Sequence, residues 1–285
     1  MNSKLKLLYL LLFISFSACT TDSVDDPNLP LEAVQLLDQR YGPDSRQSYD
    51  VFLPAGRDRE NTPLLVYIHG GAWIDGSKDE FLEFKPLMEQ FFPEYAFVSI
   101  NYRLYDFISE ENSFPTQEED VILAVEEILS QLASWNISDK ILLSGGSAGG
   151  HLALLHGYKH QSIGNIQAVI AFFPPTNLST LYNFNFLTQS GLTEILEGTP
   201  DSNPDLYQSS SPITFVGPTT IPSIIFHGDA DNVVPISQSE ELAEKLGEFQ
   251  VPHQFIVVPD QGHGFDPVTY LDLLEQASVF LRENI

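Results

Sequence analysis

Ile141-Leu142-Leu143-Ser144-Gly145-Gly146-Ser147-Ala148-Gly149-Gly150-His151-Leu152-Ala153-Leu154-Leu155 is the stretch that decides the fold. Residues 141–144 form a short apolar run of strand type, and residues 151–155 are apolar and helix-compatible, so the segment between them turns a strand into a helix. A serine on such a turn needs glycine two places before it and two places after, because the backbone bends sharply and no side chain fits beside it. The turn lifts the Ser147 Oγ above the strand ends, where a base and a substrate can both reach it. A glycine loop at a helix start could instead cradle phosphate, but the Lys-Ser/Thr ending of a nucleotide loop is missing. Gly-x-Ser-x-Gly is a weak signal alone; the strand before it and the helix after it give it weight.

Outward from this turn, short apolar runs at residues 64–69, 96–102, 166–173, 223–226 and 254–258 alternate with longer segments of helical period. This pattern predicts an α/β fold with a mostly parallel central sheet and helices on both faces. Residues 49–53 alternate, which places them nearer the sheet edge. Phe81, Phe84, Leu87, Met88 and Phe91 make one helical stripe, and Val121, Ala124, Val125, Ile128 and Leu132 another; both read as core. Asp266 followed by Pro267 reads as the cap and first turn of a final helix burying Leu271, Leu274, Ala277 and Leu281. Residues 176–211, rich in Asn, Ser, Thr and Pro with aromatics at Tyr182, Phe184 and Phe186, read as a small insertion after the strand ending near Phe173. Its aromatics serve either to bind a ligand over the strand ends or to pin the insertion to the body.

Three more strand ends carry chemistry. Residues 64–69 lead into His69-Gly70-Gly71-Ala72-Trp73, where paired glycines let backbone N–H groups approach a developing oxyanion. The expected donors are Gly70, Gly71 and Ala148, the residue after the serine. Residues 221–226 lead into His227-Gly228-Asp229-Ala230-Asp231-Asn232-Val233-Val234-Pro235. A carboxylate on such a loop can accept the Nδ1–H of a histidine and fix its tautomer; Asp229 and Asp231 compete for the role. The next strand leads into Asp260-Gln261-Gly262-His263-Gly264-Phe265. Glycines on both sides leave His263 free of shielding, and imidazole titrates near neutrality, which suits a general base. His69 and His227 read as loop organisers, and His151 as packing beneath the site. No His/Cys/Asp cluster has metal-ligand spacing, and chemistry by Ser147, His263 and one of the two carboxylates, Asp229 or Asp231, calls for no metal and no cofactor.

The four blocks and their order, over roughly residues 48–285, resemble the α/β-hydrolase esterases with a His-Gly-Gly oxyanion motif. Among these the chain is most similar to bacterial acetyl and feruloyl esterases and to kynurenine formamidase-like enzymes. The resemblance implies hydrolysis of carboxylic esters of small molecules or carbohydrates through an acyl-enzyme. It also implies that the acid is the Asp opening an Asp-x-x-Val-Pro segment, which is Asp231. Tyr102-Arg103-Leu104, Phe114-Pro115 and Asp120 match architectural segments of the family. The chain departs from the hormone-sensitive-lipase branch at Gly146, where that branch has Asp, and at Ala72, where it has a third glycine. Trp73 is a candidate substrate-binding residue through its flat face. Gly-Gly-Ser-x-Gly-Gly also resembles the nucleophile turn of prolyl-oligopeptidase-type peptidases, which usually carry a large additional N-terminal domain. A hydrolase fold retained only for binding is the third alternative, although such proteins typically lose a triad member.

The chain has 285 residues with a formal charge of -26, which disfavours nucleic acid as a partner, since that binding rests on Lys and Arg neutralising phosphates. Residues 1–18 have the anatomy of an export signal: Lys4 and Lys6, an apolar run, then small residues. Phe16-Ser17-Ala18-Cys19 resembles a bacterial lipobox, in which the cysteine becomes the lipidated first residue. Cys19 is the only cysteine, so it has no intrachain disulfide partner. The expected organisation is a lipoprotein-type signal over residues 1–18, a flexible tether over 19–31 and one hydrolase domain over 32–285. Such a protein is exported and anchored to a bacterial membrane, facing the periplasm or the cell surface.

Overall fold

In the computed structural model, which describes residues 30–285, the β-branched apolar runs become the inner strands of one sheet. The expected leader, Cys19 and all but the last two residues of the tether lie outside the described residues. The strands are β1 (Val34–Arg40), β2 (Ser48–Leu53), β3 (Leu64–Ile68), β4 (Ala96–Ile100), β5 (Lys140–Gly146), β6 (Asn165–Phe172), β7 (Ser223–Gly228) and β8 (His253–Val258). They lie in the order β1-β2-β4-β3-β5-β6-β7-β8. β1 and β2 run antiparallel to their neighbours, and all pairs from β4 to β8 are parallel. This is the α/β-hydrolase arrangement expected from the sequence.

Side chains alternate across the strands, so each inner strand feeds two cores. Leu64, Val66 and Ile68 of β3 pack on one face with α2 (Thr116–Trp135), α3 (Ala148–Lys159) and α7 (Ser237–Glu248). Leu65 and Tyr67 pack on the other with α1 (Phe81–Phe91) and α8 (Pro267–Asn284). Coverage of both faces is why these strands read as continuous apolar runs. The cap on α8 forms as expected: Asp266 accepts from the N–H groups of Val268 and Thr269, with Pro267 in the first turn.

The edge differs from expectation. β2 is buried along its whole length because β1 lies outside it. β1 escaped the sequence pattern because its register slips between Leu36 and Gln39. Asp38 sits there at a φ of 52°, its N–H held by Asp50 Oδ1 at 2.7 Å, and the bulge destroys the two-residue alternation.

The segment between β6 and β7 is helical, with α4 (Leu178–Tyr182), α5 (Phe186–Ile195) and α6 (Pro204–Ser209). Tyr182 packs edge-on against Tyr207 of α6, within the insertion itself, whereas the Phe186 side chain is largely exposed.

Beside the site, Asp120 holds the loop that follows β4. This fully buried carboxylate accepts from Gln47 Nε2 at 2.7 Å, the Arg103 backbone N–H at 2.8 Å, and Arg103 Nη2 at 2.7 Å. Removing one partner of such a buried pair leaves the other charge uncompensated. Asp120→Ala should therefore lower unfolding free energy by about 3 kcal/mol in a urea titration; a loss below about 1 kcal/mol would show that the Arg103 charge is solvated without it.

Candidate active site

The turn at Ser147 is built by backbone crowding. A Cβ added at Gly149 would lie 2.0 Å from the Ile68 carbonyl oxygen, and one at Gly145 would lie 2.5 Å from Gly149 backbone. Both glycines are therefore required by close approach of α3 to β3 and β5. Ser147 itself has φ 53° and ψ -125°, a strained conformation for a residue with a side chain. It is held there by its N–H on the Phe172 carbonyl at 2.9 Å and by its own carbonyl accepting the His151 N–H.

The structure brings Ser147, His263 and Asp231 together from three strand ends. Ser147 Oγ lies 2.8 Å from His263 Nε2, and His263 Nδ1 lies 2.7 Å from Asp231 Oδ2. The other carboxylate oxygen accepts the N–H groups of Val233 at 2.8 Å and Val234 at 3.0 Å. Burial pushes the Asp231 carboxyl up, but hydrogen bonds from His227, His263 and the Val233 N–H outweigh it and hold it well below the usual carboxylate range. It thus stays ionised, and an ionised acceptor fixes the proton of His263 on Nδ1, leaving Nε2 free to take one from Ser147. Asp229 is not part of this chain; its carboxylate accepts the Asp260 N–H at 2.7 Å.

His227 supports the acid. Its Nε2 lies 2.9 Å from the Val234 carbonyl and 3.3 Å from Asp231 Oδ2, two acceptors that require Nε2 to carry the proton. Nδ1 then accepts from the Ser239 hydroxyl at 2.7 Å. His263 packs on Phe173 with ring centroids 4.6 Å apart.

The glycine loop after β3 faces Ser147. The Gly70 carbonyl accepts from Tyr102 Oη at 3.0 Å and lies 2.8 Å from His69 Nδ1, while the Gly71 carbonyl accepts from Ile74 and Asp75. In a planar trans peptide the next N–H points opposite its carbonyl, so pinning these carbonyls turns the amides of Gly71 and Ala72 the other way. Among the described residues the N–H groups of Gly70, Gly71, Ala72 and Ala148 have no backbone acceptor. Gly70, Gly71 and Ala72 line the same cavity as Ser147, and Ala148 lines the adjoining one with Ala72 and Ser147. The free amide of Ala72 stands beside those of the expected Gly70, Gly71 and Ala148. It leaves no mark in sequence, and the Ala72 φ of 51° shows the strain of standing where glycine would be relaxed.

His69 and His151 are both buried. His69 stacks on Tyr102 at 4.2 Å, and burial pushes it down to about 4, so it is neutral. His151 is also pushed down to about 4 by burial; its Nε2 lies 2.7 Å from the Ser210 carbonyl. Trp73 is 5 % exposed and packs edge-on against His151 and Phe114, so most of its face serves packing while its edge lines a cavity. Among the described residues no group of three or more His, Cys, Asp or Glu side chains is placed to hold a metal ion, and no helix is long and apolar enough to cross a membrane.

Comparison with known proteins gives a consistent picture. The model of the BD-FAE family matches residues 49–246. Esterase LipC of Mycobacterium tuberculosis is 26% identical over 79% of this chain and 59% of its own length. Esterase LipQ of the same organism is 28% identical over 82% of this chain and 58% of its own. The chain thus spans just under three fifths of these curated relatives. Among solved structures, a truncated carbohydrate esterase from gut microbiota superposes with a TM-score of 0.74 at 25% identity, covering 88% of this chain and 96% of that one.

The low carboxyl of Asp231 has a stability consequence. A carboxylate whose folded value is depressed stabilises the fold above its unfolded value, near ~4, and that contribution fades as pH falls through the folded one. The stability gap between wild type and Asp231→Asn should therefore be full at neutral pH and shrink progressively below about pH 4. At neutral pH Asp231→Asn should also cost on the order of 10⁴ in kcat, because the wrong tautomer of His263 faces Ser147. A gap independent of pH, or near-normal turnover, would remove Asp231 from this role.

Proposed function

The chain belongs to the BD-FAE family, and on that premise we propose that it is a serine hydrolase that cleaves carboxylic esters through an acyl-enzyme. The observation that carries this reading is the continuous hydrogen-bonded line from Asp231 through His263 to the strained Ser147, ending beside amides that have no other backbone acceptor. Ser147 Oγ attacks the ester carbonyl as its proton passes to His263 Nε2. The tetrahedral oxyanion rests on the amides of Gly71, Ala72 and Ala148, with Gly70 shaping the loop or adding a fourth donor. Collapse breaks the bond to the alcohol, whose oxygen takes the proton back from His263. Water then repeats the sequence on the acyl-enzyme. Short-chain acyl or aryl esters, including acetyl or feruloyl esters of carbohydrates, are the substrates this reading favours, supported by the names of the relatives and by the aromatic walls around Ser147.

The same reading anchors the protein to a bacterial membrane outside the cytoplasm through a lipid on Cys19, with residues 1–18 as signal and 19–31 as tether. Its support is the leader sequence.

Ser147→Ala should lower kcat on aryl esters by on the order of 10⁶ while leaving the fold intact. The panel would include 4-nitrophenyl esters, a feruloyl ester, acetylated xylan, N-formylkynurenine and a prolyl peptide. Serine-dependent cleavage confined to the peptide would replace the esterase by a peptidase, and silence throughout would leave a binding protein. Metabolic labelling with a fatty acid should tag the wild type and not Cys19→Ala; equal labelling would place the lipid elsewhere.

A further inference from the structure

Ser147 stands between two cavities, and the chemistry of ester cleavage distinguishes them. One, of about 440 Å³, is walled by His263 and runs along the α1/α8 face of the sheet past Tyr67, Phe172 and Tyr270 to Ser144. The other, of about 390 Å³, lies under the insertion between Trp73, Leu192 and Val234 and has no wall from His263. From these we infer that the leaving alcohol occupies the first cavity and the acyl group the second, and that Ser144 reads a hydroxyl on the alcohol. The inference rests on the ester-hydrolase reading.

The assignment follows from where the proton must go. His263 hands the Ser147 proton to the departing oxygen, so that oxygen has to come within hydrogen-bond reach of Nε2. In the second half of the reaction a water molecule takes the same place beside Nε2 while the acyl group is still bonded to Oγ. The acyl group therefore has to leave the His263 side vacant, and the cavity without His263 is the one that receives it.

The walls then define what each side takes. The acyl cavity is bounded mainly by aliphatic and aromatic carbon, and its volume falls in the ~300–1,000 Å³ range of small-molecule sites, well beyond a two-carbon acyl group. It suits an apolar acyl chain or ring longer than acetyl. The alcohol cavity is about as apolar overall; what sets it apart is Ser144 on its wall among aromatic faces. Ser144 is 1 % exposed, its Oγ has no hydrogen-bond partner, and Glu80 and Tyr67 line the same space. A buried hydroxyl without a partner is costly, and an alcohol bearing further hydroxyls on a ring supplies one while its flat side lies on the aromatics.

Two substitutions test this without disturbing the relay. Gly191 lies in α5 on the acyl cavity, and a Cβ there meets nothing within 4 Å, so Gly191→Leu fills space in a helix position where Leu is a better helix former. Ser144→Ala removes a hydroxyl that bonds nothing in the protein. The substrates are 4-nitrophenyl acetate, 4-nitrophenyl hexanoate and the hexanoyl ester of methyl glucoside, compared as ratios of kcat/KM. Gly191→Leu should lower the hexanoate-to-acetate ratio about tenfold and leave the glucoside-to-nitrophenyl ratio in place. Ser144→Ala should do the reverse, lowering the glucoside-to-nitrophenyl ratio about fivefold, the value of one ordinary hydrogen bond. Ratios that stay put, or that move in the opposite pairing, overturn the subsite assignment alone. A wild type that hydrolyses none of the three esters overturns the ester reading beneath it as well.

Discussion

Backbone has to touch backbone where α3 leaves β5, and the rest of the site depends on that contact. The Ile68 carbonyl occupies the space where any side chain at position 149 would begin, so the first turn of α3 is pressed against the end of β3. Because β3 also launches the glycine loop, this one contact fixes the distance between Ser147 and the amides that face it. The cost is the strained backbone of Ser147, Ala72 and Trp73. It is offset by two cores buried on either face of the sheet, which leave the strand ends no freedom to relax.

Around that contact the polar groups are arranged in layers of decreasing solvent access. Arg46 Nη2 lies 3.1 Å from His69 Nε2 and 2.8 Å from the Gly76 carbonyl, and its Nε donates to the Tyr102 carbonyl. His69 and Tyr102 in turn hold the Gly70 carbonyl. A guanidinium at the rim thus orients a peptide plane near the nucleophile through a neutral histidine. His227 does the corresponding work for Asp231. In both cases a histidine outside the Ser147–His263–Asp231 line serves geometry, where its two different ring nitrogens let it accept on one side and donate on the other.

The parts of the site legible in sequence are those that steric necessity writes as glycine. Gly145, Gly149, Gly70 and Gly71 mark close approach, and Gly262 and Gly264 mark an unshielded histidine, so Ser147 and His263 could be placed from residues alone. Choosing Asp231 over Asp229 needed either a family pattern or the fold, since both are carboxylates on the same loop and only position decides which meets His263. The free amide of Ala72 was invisible because every non-proline residue carries the same N–H. Ser239 and Ser144 were invisible because their partners, or lack of them, arise from elements remote in the chain. β1 was missed for a local reason, the bulge at Asp38, and that omission moved β2 from the interior to the edge in the sequence-based picture.

The helices α4, α5 and α6 enter the chain as one connection between β6 and β7, and none of them bears a group of the proton relay. Residues along the whole of α5 line one cavity, and at its start Phe186 and Leu187 are also open to water. A change of sequence in this single connection can reshape one cavity beside Ser147 while the sheet, the Ser147–His263–Asp231 line and the opposite cavity stay as they are. The fold thus separates the part of the molecule that must not drift from a part that is free to diversify.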